Sequence, residues 1–241
     1  MPNSTDHFAI QVNKLKGELV GQGRRVQALM EASFEAVFTR DLTAAKKVVA
    51  MDEEIDRVDV ALEKSAVALL TEATGLGSRL EASQLRWVLM IVKVNNELER
   101  IADVGVAIAE ECRLFHHASD LPPTFRVMAN SVVGIIRDCV SSLDRLDPEL
   151  ARVVLLSEEA VLAFKKALVA ETQKKLKAGT LDVDVCSALH DVAMQCVTSA
   201  DHCTNIAEQV MYTATGKIVR HMEGHWEEVK LDEGRDGKRD A

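Results

Sequence analysis

NNELERIADVGVAIAE, residues 95–110, is the stretch that decides the fold. It has no proline and one glycine, and its apolar residues recur at helical spacing. Glu99 and Asp103, four residues apart, share one face of that helix. The residues of this face follow one another at steps of mostly three and four; they are Leu85, Val88, Leu89, Val92, Asn96, Glu99, Asp103 and Val106. We therefore expect both acids to continue a buried apolar stripe, where charged groups need a partner.

The composition favours a helical protein with a substantial core. The chain has 241 residues, 47% of them hydrophobic, enough for one large domain or two smaller ones. Aromatic residues make up only 4%, whereas sheets favour aromatic and β-branched residues. The formal net charge of −9 argues against non-specific nucleic-acid binding, which needs a basic face. The sequence thus predicts an all-α protein that binds no nucleic acid.

Cysteine usage and the N-terminus indicate a cytoplasmic protein. The five cysteines are odd in number and form no CxxC or Cys/His finger pattern. We therefore expect free thiols in a reducing compartment. The N-terminus MPNSTDHF lacks a basic and apolar leader, and no segment approaches about 18 uninterrupted apolar residues. No transmembrane segment is predicted.

Breaks in the apolar periodicity divide the chain into six helices. The clearest break is HHASDLPPT, residues 116–124, because two adjacent prolines can open a helix but cannot lie inside one. Glycines near residues 75–77, 179 and 216 mark further ends. The predicted helices run from about residue 4 to 38, 42 to 74, 80 to 116, 123 to 143, 148 to 178 and 182 to 215.

The order of these helices suggests an internal duplication. A shift of 105 residues sets KKVVAMDEEID (46–56) against ARVVLLSEEAV (151–161), and a shift of 98 sets ADVGVAIAE (102–110) against ADHCTNIAE (200–208). The two shifts differ by seven residues, and this difference falls in the loop between the second and third helices of each half. We predict two tandem three-helix bundles, residues 1–118 and 119–222, followed by a disordered tail, 223–241.

Four carboxylates are predicted to meet where the second and third helices pack. Asp52 and Asp56 of MDEEID and Glu99 and Asp103 of the third helix lie at matching distances from the connecting loop. Four buried acids would repel one another, and a hard cation such as Mg²⁺, Mn²⁺, Ca²⁺ or ferric iron would offset that repulsion. The alternative is that they face solvent or pair with Arg57, Lys64 and Arg100.

The second half of the repeat loses most of these acids. In the shifts above, Asp52 corresponds to Ser157, Asp56 to Val161 and Glu99 to Val197, and only Asp103 has an acidic counterpart, Asp201. We therefore expect metal in the first bundle only. Three residues near Asp201 resemble soft ligands but fit buried core positions better: Cys196, His202 and Cys203.

These motifs resemble the PhoU family of phosphate-uptake regulators. The resemblance covers nearly the whole chain and is most specific at LERIAD (98–103), which is close to the family's LERIGD. Further matching segments are HFAIQVNKLKGEL, MDEEIDRVD, the weaker NIAEQVMY and TGKIVRH. SQLR (83–86) is similar to the family's SDLR, with Gln84 replacing the acid and Arg86 retained as a candidate partner-binding residue. The family's fold is a tandem pair of three-helix bundles.

The resemblance implies a non-enzymatic regulator in the cytoplasm. It would couple a phosphate ABC transporter ATPase to a sensor histidine kinase, repress the phosphate regulon when phosphate is plentiful, and form a homodimer. It also implies a metal ion or cluster, of iron, manganese or magnesium, at Asp52, Asp56, Glu99 and Asp103.

Other functions remain open at the level of the sequence. They are a ferritin-like carboxylate enzyme, disfavoured because no Glu-x-x-His occurs at the relevant positions, and a regulator of another phosphate carrier. Peripheral membrane contact would need bridging cations, because the chain is acidic.

Overall fold

The computed structural model describes residues 4–75, 80–116, 118, 120–222 and 225–228. Within these ranges it contains seven α-helices and two short strands. Their bounds are α1 Ser4–Thr39, α2 Leu42–Gly75, α3 Ala82–Glu110, α4 Cys112–Phe115, α5 Pro123–Arg145, α6 Pro148–Lys177, α7 Val183–Thr215, β1 Val219–Met222 and β2 His225–Glu228. The predicted fold, two tandem three-helix bundles, is confirmed.

The first bundle consists of α1, α2 and α3 and the second of α5, α6 and α7. The bundles pack against each other through α3 with α7 and α1 with α5, and buried apolar residues of both form one continuous cluster. The third predicted helix, expected to reach residue 116, is interrupted at Glu111 and continues as the single turn α4. Cys112 and Phe115 of this turn are buried, which anchors it against the core.

The turns between the first two helices of each bundle are alike, which supports the duplication. Arg40 and Leu146 both adopt left-handed backbone conformations, with φ of 59° and 50°. Each is followed by an aspartate that caps the next helix. Asp41 accepts hydrogen bonds from two backbone N–H groups at 2.8 and 3.0 Å, and Asp147 accepts two at 3.0 and 3.1 Å.

The burial pattern corrects the offset between the halves. The buried residues of α2 and α6 match at a shift of 106, as do the two turns; the pairs are Ala45 and Ala151, Val48 and Val154, Ile55 and Val161, Leu62 and Leu168, and Ala66 and Thr172. The buried residues of α3 and α7 match at 98, as expected. The shift of 105 was therefore wrong by one residue, because the VV pairs at 48–49 and 153–154 align without regard to which valine is buried.

Strand β2, His225–Glu228, corrects the prediction that the chain is disordered from residue 223. β1 and β2 pair antiparallel, with Val219 opposite Glu228 and Met222 opposite His225. Val219 is buried in the core cluster, so the hairpin is tied to the helices. The rest of the predicted tail, residues 223–224 and 229–241, lies outside the described residues. No helix in the described ranges has the length and apolarity needed to cross a membrane.

Candidate functional site

Helix α2 presents three aspartates along the edge of its buried face. Val48, Ile55 and Leu62 of that face point into the core. Asp52 and Asp59 are half-buried beside them, and Asp56 lies outside them, exposed. The helical repeat thus brings these acids to the border between core and solvent.

On α3 the acids lie further out than the sequence predicted. Leu85, Leu89 and Val92, assigned to the buried stripe, are 43%, 56% and 37% exposed. Glu99, on the same face, is half-buried, and Asp103 is exposed. Val88 of the predicted stripe is buried as expected, but the buried surface of α3 is centred on other residues, because α3 packs against α1, α2 and α7; they are Ile91, Val94, Asn95, Leu98, Ile101, Ala102 and Gly105. The apolar spacing was read correctly as helical, but its outer edge was taken for its centre.

The acids of α2 and α3 come together across the seam between the helices. Burial raises the pKa of Asp52, and the charges of Asp56 and Asp103 raise it further. Burial likewise raises the pKa of Glu99, with further increases from Asp103, Asp59 and Asp56 that the nearby Arg100 only partly offsets. The four predicted residues therefore share one electrostatic environment, which we call the acidic strip.

Asp59 is a fifth acid of this strip, and it was not predicted as a ligand. The buried amide of Asn95 donates hydrogen bonds to the carboxylate of Asp59 at 2.6 Å and to the backbone carbonyl of Asp59 at 3.0 Å. Burial, followed by the charges of Glu63 and Asp56, raises the pKa of Asp59. The asparagine pair Asn95–Asn96, placed among apolar residues, was the available signal.

The strip is open rather than arranged as a closed metal site. Among the described residues, no group of three or more His, Cys, Asp or Glu side chains is placed to hold a metal ion. The donor set, carboxylate oxygens alone, suits hard cations. The metal-binding assignment of Asp52, Asp56, Glu99 and Asp103 stays a prediction.

The corrected offset changes the counterparts of the strip in the second bundle. Asp52 corresponds to Glu158 rather than Ser157, and Asp56 to Leu162 rather than Val161. The remaining pairs are Asp59 with Lys165, Glu99 with Val197 and Asp103 with Asp201. With one leucine, one valine and one lysine, the second bundle lacks an equivalent acidic strip.

A polar cluster that sequence reasoning missed lies between the two bundles. Nδ1 of His202, on α7, is 2.7 Å from Oε2 of Glu97, on α3, and the amide of Asn205 donates to the same oxygen at 3.2 Å. Burial alone would raise the pKa of Glu97, but these hydrogen bonds and the charges of His202 and Arg100 lower it. Because an ionised carboxylate only accepts, Nδ1 carries the proton. His202 is thus a partner of Glu97 rather than a soft metal ligand.

The cysteines occupy core positions, as expected. All five are free and buried. Burial raises the pKa of Cys196 to about 12, and hydrogen bonding to Cys139 together with burial raises the pKa of Cys203. Such thiols are protonated at neutral pH, so they are poor metal ligands and nucleophiles.

Comparison with known proteins identifies the family. The sequence model of the PhoU domain family matches the chain twice, over residues 20–112 and 125–210. The chain belongs to the PhoU family. Each match lies within one of the two bundles, so the duplicated unit of the fold is the PhoU domain.

Relatives in the PhoU family align over most of the chain. The "Phosphate-specific transport system accessory protein PhoU homolog 1" of Thermotoga maritima is 23% identical over 89% of this chain and 91% of its own length. The "Phosphate-specific transport system accessory protein PhoU" of Escherichia coli is 23% identical over 95% and 93%.

Solved PhoU structures share the fold. The crystal structure from Streptococcus pneumoniae superposes with a TM-score of 0.80 at 20% identity, over 88% of this chain and 99% of that one. The structure from Pseudomonas aeruginosa gives 0.77 at 21% identity, over 87% and 99%. The family is one of non-enzymatic accessory and regulatory proteins, so the ferritin-like enzyme is set aside.

The SQLR segment of this PhoU protein opens helix α3. Gln84, which stands where the resemblance expects an acid, accepts a hydrogen bond from the backbone N–H of Glu81 at 2.9 Å and so closes the helix N-terminus. Arg86 is half-buried, and its Nε is buried without a hydrogen-bond partner among the described residues. Its role in partner binding stays a prediction.

Proposed function

We propose that this PhoU-family protein regulates phosphate uptake and phosphate-regulon signalling in the cytoplasm, by coupling a phosphate ABC transporter to a sensor histidine kinase. The observation that carries the proposal is the match of both bundles to PhoU, together with relatives named as accessory proteins of phosphate-specific transport. Exposed apolar residues offer helix faces for binding partners: Leu85 and Leu89 on α3, and Val153 and Leu156 on α6.

Deleting the gene tests the regulatory role. In high phosphate, we expect phosphate-starvation genes to be derepressed in the deletion strain and repressed again when the wild-type gene is restored. Unchanged expression in the deletion strain would count against the proposal.

Affinity capture with the transporter ATPase and the kinase tests the coupling. The wild-type protein is expected to retain both, and an Arg86→Ala variant is expected to retain less if Arg86 contacts a partner. Capture of a different phosphate carrier with neither of these partners would favour the alternative that the protein regulates that carrier.

In this proposal the protein acts as a homodimer and reaches the membrane by binding the transporter, since no described helix can span a bilayer. Sedimentation equilibrium of the purified chain is expected to give twice the mass of one copy. A mass of one copy at all concentrations tested would contradict the dimer.

A second proposed property is metal binding in the first bundle. Asp52, Asp56, Glu99 and Asp103 would hold a hard cation or cluster of iron, manganese or magnesium. Its charge would offset the two effects that raise the pKa of Asp52 and Glu99, which are burial and, after it, repulsion from neighbouring acids. No ion is needed to explain the fold, because the strip is open to solvent.

Elemental analysis of protein purified without chelator tests this property. We expect metal in the wild type and its loss in the Asp52→Ala/Glu99→Ala double variant. The matched control is Glu158→Ala/Asp201→Ala, at the corresponding positions of the second bundle, which should keep the metal. A metal-free wild type would contradict metal binding.

A further inference from the structure

A cleft of about 570 Å³ lies where the end of α1, the linker before α5 and the first turns of α5 meet. Its lining includes two arginines, Arg40 and Arg126, the ring of Phe38 and the polar residues Asn130 and Asp120. The volume is within the usual range for small-molecule sites. The cleft lies apart from the acidic strip, with which it shares no residue.

The flat face of the Arg126 guanidinium packs against the aromatic ring of Phe38. The central carbon of its guanidinium lies 3.9 Å from the ring centre of Phe38. That ring is fixed in turn by Phe34 and Phe125, at centroid distances of 6.2 and 5.2 Å. Within the described part of the chain, Arg126 makes neither a hydrogen bond nor an ion pair. A guanidinium stacked in this way keeps the N–H groups along its edge for a planar or tetrahedral anion.

Arg40 and the N-terminus of α5 add positive electrostatic potential at the cleft. Arg40 has a φ of 59° in the turn after α1, which places this half-buried arginine at the cleft. Helix α5 begins beside it at Pro123, with no side-chain cap and no acidic residue in its first turn. The N-terminus of a helix carries a partial positive charge and attracts anions. The two arginines and the helix end therefore act in the same direction.

One acid lies in the same lining. Asp120 is exposed, and within the described part of the chain it forms no ion pair with Arg126. The cleft thus combines two cationic side chains with one acid, in a protein whose net charge is −9. The duplication does not produce a second cleft of this kind. Arg40 corresponds to Leu146, and the residues of α1 that correspond to the start of α5 lie in the middle of a helix.

We propose that this cleft binds a small organic phosphate of about nucleotide size, its phosphate oxygens bonded by Arg126 and Arg40 and its apolar part against Phe38, Leu121 and Val127. Arginine suits this ligand because its fork of N–H groups matches two phosphate oxygens. The inference does not depend on the partners under Proposed function, since it concerns ligand binding by the isolated chain.

Calorimetric titration with ATP and with inorganic phosphate tests the proposal, in buffer with chelator so that metal at the acidic strip does not contribute. We expect ATP to bind with a sub-millimolar Kd and more tightly than inorganic phosphate. Arg126→Gln should raise the Kd for ATP at least about tenfold, because it removes charge-assisted hydrogen bonds. Arg40→Gln should act in the same direction, and Asp120→Asn should lower the Kd.

The matched control is Arg137→Gln. Arg137 lies on the same helix, is exposed, and pairs with Asp138 outside the cleft. Absence of ATP binding at millimolar concentration would overturn the proposal, as would an equal Kd for ATP in the Arg126→Gln and Arg137→Gln variants. Tighter binding of inorganic phosphate than of ATP would overturn the organic-phosphate assignment. Circular dichroism of each variant checks that the helices are intact.

Discussion

Gly105 shows how closely α1 and α3 approach each other in the first bundle. A Cβ added at this position would overlap Cδ2 of Leu29, a residue that is fully buried, and would lie 3.3 Å from Oγ of Ser33. The glycine of the IADVG segment is therefore required by packing. At the corresponding position of the second bundle α7 carries Cys203, which is fully buried.

Substituting this glycine should destabilise the protein. Gly105→Ala is expected to lower the free energy of unfolding by about 1–3 kcal/mol, because the core around Leu29 is already filled. The control is Gly17→Ala, at a helical position with no atom within 4 Å of the added Cβ. It should raise stability by about 0.5–1 kcal/mol, since alanine loses less entropy on entering a helix. Urea unfolding measures both, and equal effects would contradict the close approach of α1 and α3.

The acidic strip should cost stability at neutral pH. Because the pKa values of Asp52 and Glu99 are raised, the folded protein binds these protons more tightly than the unfolded chain, and stability rises as pH falls through the raised values. Asp52→Asn and Glu99→Gln should therefore raise the melting temperature at neutral pH in the presence of chelator. The gain should stay below about 1 kcal/mol each, because solvent screens these half-exposed groups.

Glu53→Gln provides the control for the charge substitutions. Glu53 is exposed on the same helix, outside the acidic strip, and its replacement should leave the melting temperature nearly unchanged. If Asp52→Asn and Glu99→Gln lowered the melting temperature in chelator, the acids would be stabilising partners of basic residues. The alternative drawn from the sequence, pairing with nearby arginine or lysine, would then hold.

At the scale of elements, the duplicated turn gives a matched pair of helix caps. Asp41→Ala and Asp147→Ala should each lower the free energy of unfolding by about 1 kcal/mol, because each aspartate accepts two backbone hydrogen bonds at the start of its helix. Single-residue variants studied by urea unfolding measure both losses. Losses differing by more than about 1 kcal/mol would show that the two turns are not energetically equivalent.

Element boundaries were predictable from the sequence because they depend on local chemistry. Prolines 122, 123 and 148 and the glycine at 216 restrict the backbone wherever they occur, and the helices begin and end beside them. Which face of a helix is buried was less predictable. Helix α3 packs against the three long helices α1, α2 and α7, so its buried surface is wide, and a stripe along its outer edge has the same period as one at its centre.

Contacts between the bundles could not be predicted from local pattern. Glu97 and His202 are 105 residues apart, and nothing in the segments that contain them indicates that their side chains meet. The shift of 105 between α2 and α6 was wrong by one residue for a similar reason. It was chosen by matching identical residues, whereas equivalent positions in the two helices are those that are buried in the same way. The composition of the acidic strip was predicted in four of its members, but its openness to solvent depends on how α2 and α3 pack.

At the scale of the whole molecule, the Glu97–His202 pair joins the two PhoU domains. Its side chains are only 18% and 10% exposed, so removing one partner leaves a poorly solvated polar group on the other. The pair lies beside the hairpin, whose Arg220 contacts the buried carboxylate of Glu208. The Glu97–His202 contact therefore crosses the α3–α7 interface, and the Arg220–Glu208 contact ties the hairpin to α7.

Replacing Glu97 should change how the stability of the whole protein depends on pH. Because the pKa of Glu97 is lowered, its contribution is fully present above the ordinary pKa of a glutamate and is lost as pH falls through the lowered value. Glu97→Gln is expected to reduce the free energy of unfolding at neutral pH by about 1.5–3 kcal/mol, the range for hydrogen bonds to charged groups. The difference from wild type should shrink in acid, because the wild-type carboxylate is then protonated. Glu54→Gln, which removes an exposed pairing with Arg25, should change stability by less than about 1 kcal/mol at any pH. A deficit in Glu97→Gln that stayed constant down to the acid limit of folding would show that the pair contributes by packing, and that charge does not join the two domains.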